Sequence, residues 1–157
     1  MAQTNEANRK KADYKIIERH LRNYRSYLAG IKNMHKQLDY NMPPVTASWE
    51  MKEERIGVFI PSSSVEKYAI ERIESNWALK LHEDIVIYEL IVNSIDAAVA
   101  ELSEEEREFV ELRYFNGHSA METAEEMGYS ERQIYLIRNS CRDQLLISLK
   151  NIIMLKI

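Results

Sequence analysis

A single cysteine, Cys141, rules out a disulfide framework and a cysteine-walled metal cage. Proline and glycine are scarce too, three and four in 157 residues, so the chain lacks the turn residues that sandwiches, barrels and collagen-like chains require. Turns must be few and elements long. No membrane or leader segment is expected: the opening MAQTNEANRKKAD is polar, and Glu89 and Asp96 interrupt the most apolar later stretch. The four histidines, His20, His35, His82 and His118, stand without metal spacing, and there is no glycine-rich phosphate loop. These absences lead us to expect a soluble, cytoplasmic protein that is not an enzyme and holds neither cofactor nor metal. The length gives room for one ordinary domain or two small ones sharing a core.

Charge is what the chain has in quantity, and its distribution matters more than the net −4. Residues 1–40 hold nine Lys/Arg against four Asp/Glu, residues 41–101 five against eleven, and residues 102–157 seven against ten. Basic side chains neutralise phosphates, so the front segment is a candidate either for nonspecific DNA contact or for pairing with the acidic middle.

Hydrophobic periodicity organises the rest. Ile17, Leu21, Tyr24, Leu28, Ile31, His35 and Leu38 recur at three or four, which predicts one helix over 10–39, with His35 as a packing residue on its stripe. A second pattern, Trp77, Leu81, Ile85, Tyr88, Val92, Ile95 and Val99, predicts a helix from Ser63 or Ser64 to Ala100. Two such stripes must pack on each other, as a hairpin or coiled-coil-like pair, or on another subunit. Between them, 41–63 holds all three prolines and reads as a loop. Trp49, Val58, Phe59 and Ile60 make part of that loop a docking segment or a partner surface. The fold class is all-α, divided as a basic helix 1–40, the loop 41–63, an acidic helix or helix pair 64–101, and a domain 102–157.

That last domain carries the most specific pattern. Ser103 with Glu106, Ser119 with Glu122, and Ser130 with Gln133 are three capping boxes in succession, separated by stops at Asn116-Gly117 and at Gly128. The last helix places Ile134, Ile137, Cys141 and Leu145 on one face, and Ala124 offers a small side chain where the short helix before Gly128 and this last helix are expected to cross. Three capped helices with short turns make a helix-turn-helix, or else a plain three-helix packing unit. Opposite the apolar face of the last helix stand Glu131, Arg132, Gln133, Tyr135, Arg138, Asn139 and Arg142 behind the cap Ser130. Arginine can bond guanine bidentately, Gln or Asn can bond adenine, and Glu can accept from cytosine. These eight residues are the candidate DNA-binding set, with double-stranded promoter or operator DNA as partner. The acidic run EEEREFVE would repel phosphate and is expected to face solvent or protein. Arg113 and Glu122 are candidates for an ion pair within the motif.

The stretch LSEEEREFVELRYFNGHSAMETAEEMGYSERQIYLIRNSCRDQLLISL resembles region 4 of bacterial sigma factors, through Leu102, Glu106-Arg107, Leu112-Arg113-Tyr114, Gly117, Glu122, Ala124, Gly128, Ser130, Ile134, Ile137, Cys141 and Leu145. The resemblance implies that the last helix reads promoter DNA. Thr123 departs from the usual Ile, and nothing upstream resembles the other sigma regions, so a complete sigma factor is not implied. With a basic helix in front and an acidic helix ending SIDAAVAEL, the whole order of parts resembles the ArpU/RinA family of phage and prophage late-operon regulators. That likeness implies activation of late genes from upstream DNA, where the acidic surface would meet RNA polymerase holoenzyme. The alternatives are the DNA-recognition subunit of a phage terminase and a helical protein-interaction module. The long stripes predict a homo-oligomer.

Overall fold

The structure, a computed structural model, describes residues 2–41 and 64–155, and among them only helices and turns occur. The loop expected at 41–63, with Trp49 and the apolar run 58–60, therefore lies outside the described residues beyond Asn41. The chain order is α1 (Ala2–Arg22), α2 (Tyr24–Asn41), α3 (Ser64–Ala100), α4 (Glu104–Val110), a π-helical turn (Glu111–Phe115), α5 (Ala120–Met127), α6 (Glu131–Ser148) and the short α7 (Lys150–Ile153).

The predicted helix over 10–39 starts earlier and is interrupted at Asn23. The interruption is slight. The Asn23 amide still donates to the Arg19 carbonyl at 3.1 Å and the Tyr27 amide to the Asn23 carbonyl at 2.9 Å. Asparagine is a poor helix former because its side chain competes for backbone groups, which makes Asn23 the weakest link of the run. The expected stripe is buried at Ile17 and Leu21, whereas Leu28 and His35 are exposed, so His35 is not the packing residue its spacing suggested. The second long helix runs as predicted to Ala100, with Ile85, Val92 and Ile95 buried.

The chain divides into two compact units, Met1–Leu28 with Glu89–Ile157, and Ala29–Tyr88. In the second unit Ala78 and Ile85 are buried on α3, and α2 presents Gly30 to the Tyr88 ring. A Cβ there would lie 3.1 Å from the ring, so glycine sets the closeness of that contact. The first unit holds most of the core. Tyr14, Ile17 and Leu21 of α1 and Ile91, Val92, Ile95 and Ala98 of α3 join Phe109, Val110, Tyr114, Ile134, Cys141, Leu145, Leu149 and Ile152, all buried. Each fully buried aliphatic or aromatic side chain contributes roughly 1.5 to 3 kcal/mol, so α1 and the end of α3 are structural parts of this unit.

Candidate nucleic-acid interface

All three capping boxes form. Ser103, Ser119 and Ser130 sit in extended backbone at ψ 163, 167 and 155°, and each hydroxyl accepts the amide three residues on. The side chain at that third position returns the bond to the serine amide: Glu106 at 3.1 Å, Glu122 at 2.7 Å, Gln133 at 3.0 Å. Gly128 closes α5 at φ 68°, where the Tyr129 amide reaches back to the Ala124 carbonyl at 2.9 Å, a Schellman exit that a side chain would strain. Gly117, at φ 77°, turns the chain between the π-helical turn and α5. Ala124 is buried.

Glu106 does more than cap. It is 6% exposed, accepts from the Ser140 hydroxyl at 2.6 Å, and lies 3.2 Å from the Gln144 amide nitrogen. The carboxylate that starts α4 thereby fixes the middle of α6. Burial alone would raise its pKa, but the hydrogen bonds from Ser140, Ser103 and Gln144 bring it below the ordinary value. Arg107 extends the same joint by donating to the Ala100 and Leu102 carbonyls at 3.1 and 3.3 Å. Arg113 does not pair with Glu122 as expected. Its guanidinium donates to the His118 carbonyl at 2.6 Å and Glu122 serves its own cap, because local backbone partners are nearer than a charge on the next helix.

The π-helical turn shifts the register of the chain between α4 and α5. Its extra residue per turn appears in the Asn116 amide donating to the Glu111 carbonyl at 2.8 Å. Tyr114 points into the core, edge-on to Phe109 at 5.8 Å, while Phe115 stacks on Tyr24 at 4.3 Å. Tyr24 donates to Asp96 at 2.6 Å, and burial with that carboxylate pushes its pKa up to about 12. The buried Tyr14 donates to Tyr114 across 2.9 Å, Tyr114 donates to Glu18 at 2.8 Å, and Arg138 donates to the same Glu18 oxygen at 2.9 Å. Arg138 and Arg142 also lie over the Tyr14 ring, at 5.8 and 6.0 Å. A polar chain thus ties α1 to the π-helical turn and to α6.

This network divides the eight candidate residues. Ser130, Glu131, Arg132, Gln133 and Tyr135 are exposed at the N-terminal tip of α6. Arg138, Asn139 and Arg142 are half-buried and line a groove against α1. Within the tip, Ser130 and Gln133 are engaged in the cap: the Gln133 amide oxygen takes both the Ser130 amide and its hydroxyl, at 3.0 and 3.1 Å. Glu131, Arg132 and Tyr135 are exposed there and take no part in the cap. The same groove is lined by Lys10, Lys11 and Lys15 of α1, part of the front segment that the sequence left open between DNA contact and pairing with the acidic middle, and none of the three was among the eight candidates. The signal was present in the sequence, since those cations flank the Tyr14, Ile17, Leu21 stripe.

Cys141 is fully buried, and burial followed by the nearby Glu106 charge pushes its thiol up to about 12, which makes it an inert packing group. Among the described residues no His, Cys, Asp or Glu group is arranged to hold a metal, and no helix is long and apolar enough to cross a membrane.

Three capped elements and a Schellman exit make a helix-turn-helix. Residues 93–135 match the family described as Sigma-70, region 4, from the end of α3 through the first turn of α6. No curated protein and no solved structure matches the chain.

Proposed function

We propose that the protein is a sequence-specific transcription regulator that binds double-stranded DNA through α6. The observation that carries this reading is the match over 93–135 together with the exposed tip of α6, where Arg132 projects beside the cap. A helix of this kind enters the major groove by its N-terminal residues, where arginine can bond guanine. Glu131 and Tyr135 supply the further contacts, and Arg142 reaches the backbone.

Within that class we take the protein to be a cytoplasmic activator of phage or prophage late genes, of the ArpU/RinA kind. Exposed Glu104, Glu105, Glu108 and Glu111 on one side of the motif support this, because such a surface suits a protein partner and RNA polymerase holoenzyme is the one an activator needs. Self-association is supported by α3, which leaves Leu79 and Val86 exposed at 63% and 51%, seven residues apart on one face. Leu79→Glu with Val86→Glu is expected to lower the mass measured by light scattering.

The test is a purified transcription reaction on late-region fragments that the protein selects from a phage or prophage genome. Added protein is expected to raise transcript from at least one selected fragment. Unchanged transcript on every bound fragment, with co-purification of a terminase motor subunit, overturns the activator reading in favour of a packaging role.

A further inference from the structure

We propose that α1 and α6 together form a groove for the DNA phosphodiester backbone, so that the protein grips its site with two helices. The tip of α6 would read base edges while an exposed basic stripe on α1 would hold phosphates beside them. This rests on the DNA-binding reading above and extends it to a helix far outside the segment that matches sigma region 4.

The groove encloses about 440 Å³. Lys10, Lys11 and Lys15 stand on its α1 side and Arg138 and Arg142 on its α6 side, against two carboxylates, Glu18 and Asp143. The carboxylates are already engaged. Glu18 accepts from Arg138 and Tyr114, and Asp143 from Arg142 at 3.3 Å, while Lys10 pairs with Glu6 at 3.3 Å. Lys11 and Lys15 have no such partner among the described residues, so the groove carries uncompensated positive charge. Charge of that sign beside a DNA-reading helix is what a phosphate requires.

The positive surface continues along α1. Lys15, Arg19 and Arg22 line a second depression, and Lys11, Lys15 and Arg22 are exposed at spacings of four and seven on one side of the helix. At 1.5 Å per residue this stripe extends roughly 16 Å, close to five base-pair steps of one strand. It is also held in place. Tyr14, Ile17, His20 and Leu21 on the adjacent face are buried, and the Tyr14–Tyr114–Glu18–Arg138 chain locks α1 to the reading helix. A cationic helix fixed in this way meets the backbone without an ordering cost.

The test uses the full chain carrying Lys11→Ala, Lys15→Ala and Arg22→Ala, titrated against salt on a selected site and on a random duplex. The control variant carries Lys32→Ala, Lys36→Ala and Lys80→Ala, also exposed but elsewhere. The slope of log K against log salt should fall by about 2 to 3 on both duplexes in the first variant, because each lost phosphate contact removes about 0.9. The ratio of specific to random affinity should stay within about twofold, and the control should keep the wild-type slope. A wild-type slope in the α1 variant, or an equal fall in the control, overturns the α1 groove and leaves DNA binding by α6 standing. Absence of duplex binding by the wild-type protein overturns both.

Discussion

Gln133 is a planar amide on the candidate reading face, and its geometry removes it from that work. Bidentate recognition of adenine needs the amide oxygen as acceptor, yet that oxygen takes the Ser130 amide and hydroxyl at 3.0 and 3.1 Å. Gln133→Ala should therefore lower stability by about 1 kcal/mol through the cap and leave base preference intact. Thermal melts beside a binding selection would show it, and a changed base preference at unchanged stability would contradict it. His20 makes a second residue-scale case. It is 1% exposed, its Nδ1 lies 2.8 Å from the Tyr27 hydroxyl, and its Nε2 is buried with no protein partner. Burial, helped by the Arg19 charge, holds its pKa below the ordinary 6.5. The unfolded chain binds a proton that the folded chain refuses, so stability falls as pH drops from about 6.5 towards the folded-state pKa. The melting temperature is expected to fall between pH 7 and 5 in the wild type and much less in His20→Gln. The carboxylates with lowered pKa, Glu106 and Glu122, lose their contribution only below 4.5 and so act in a separate window. Parallel profiles for the two proteins would refute the assignment to His20.

Among the elements, the three capped helices share a motif but differ in what depends on it. Glu122 caps an exposed end, whereas Glu106 caps α4 and also holds Ser140 and Gln144 of α6. Glu106→Ala should cost about 1 to 3 kcal/mol, because a cap is lost together with the bonds that Ser140 and Gln144 donate to a buried carboxylate. Denaturant titration should rank it well above Glu122→Ala, and equal effects would show that the bond to α6 adds nothing. The boxes were legible in the sequence because a capping bond closes over three residues and needs only the right pair of side chains at that spacing. The packing of α1 was not legible. Tyr14 meets Tyr114 across 100 residues of sequence and Glu18 meets Arg138 across 120, and no local period encodes such a partner. The front segment was open between DNA contact and pairing with the acidic middle. In the structure Tyr24 does bond Asp96 of that middle, while Lys11 and Lys15 stay with the α6 groove.

At the scale of the molecule, the unit that carries α6 is assembled from both ends of the chain. Leu21 and Ile17 of α1 and Ile91 and Ile95 of α3 are fully buried there, so residues 102–157 alone would expose the surface those side chains cover. A fragment of 102–157 is expected to bind an apolar dye and melt without cooperativity, and Leu21→Ala in the full chain to cost roughly 2 to 5 kcal/mol. A cooperative melt of the fragment near the wild-type temperature would contradict this. The claim on which the rest depends is that α6 reads sequence, and the most direct measurement of it is the base preference of Arg132→Ala. Selection of bound duplexes from a genome-derived library should return one shared site for the wild-type protein. For Arg132→Ala it should return that site weakened by about 1 to 3 kcal/mol, with one position relaxed and the salt slope nearly kept. Identical sites and affinities from both proteins would mean that the tip of α6 does not touch the bases.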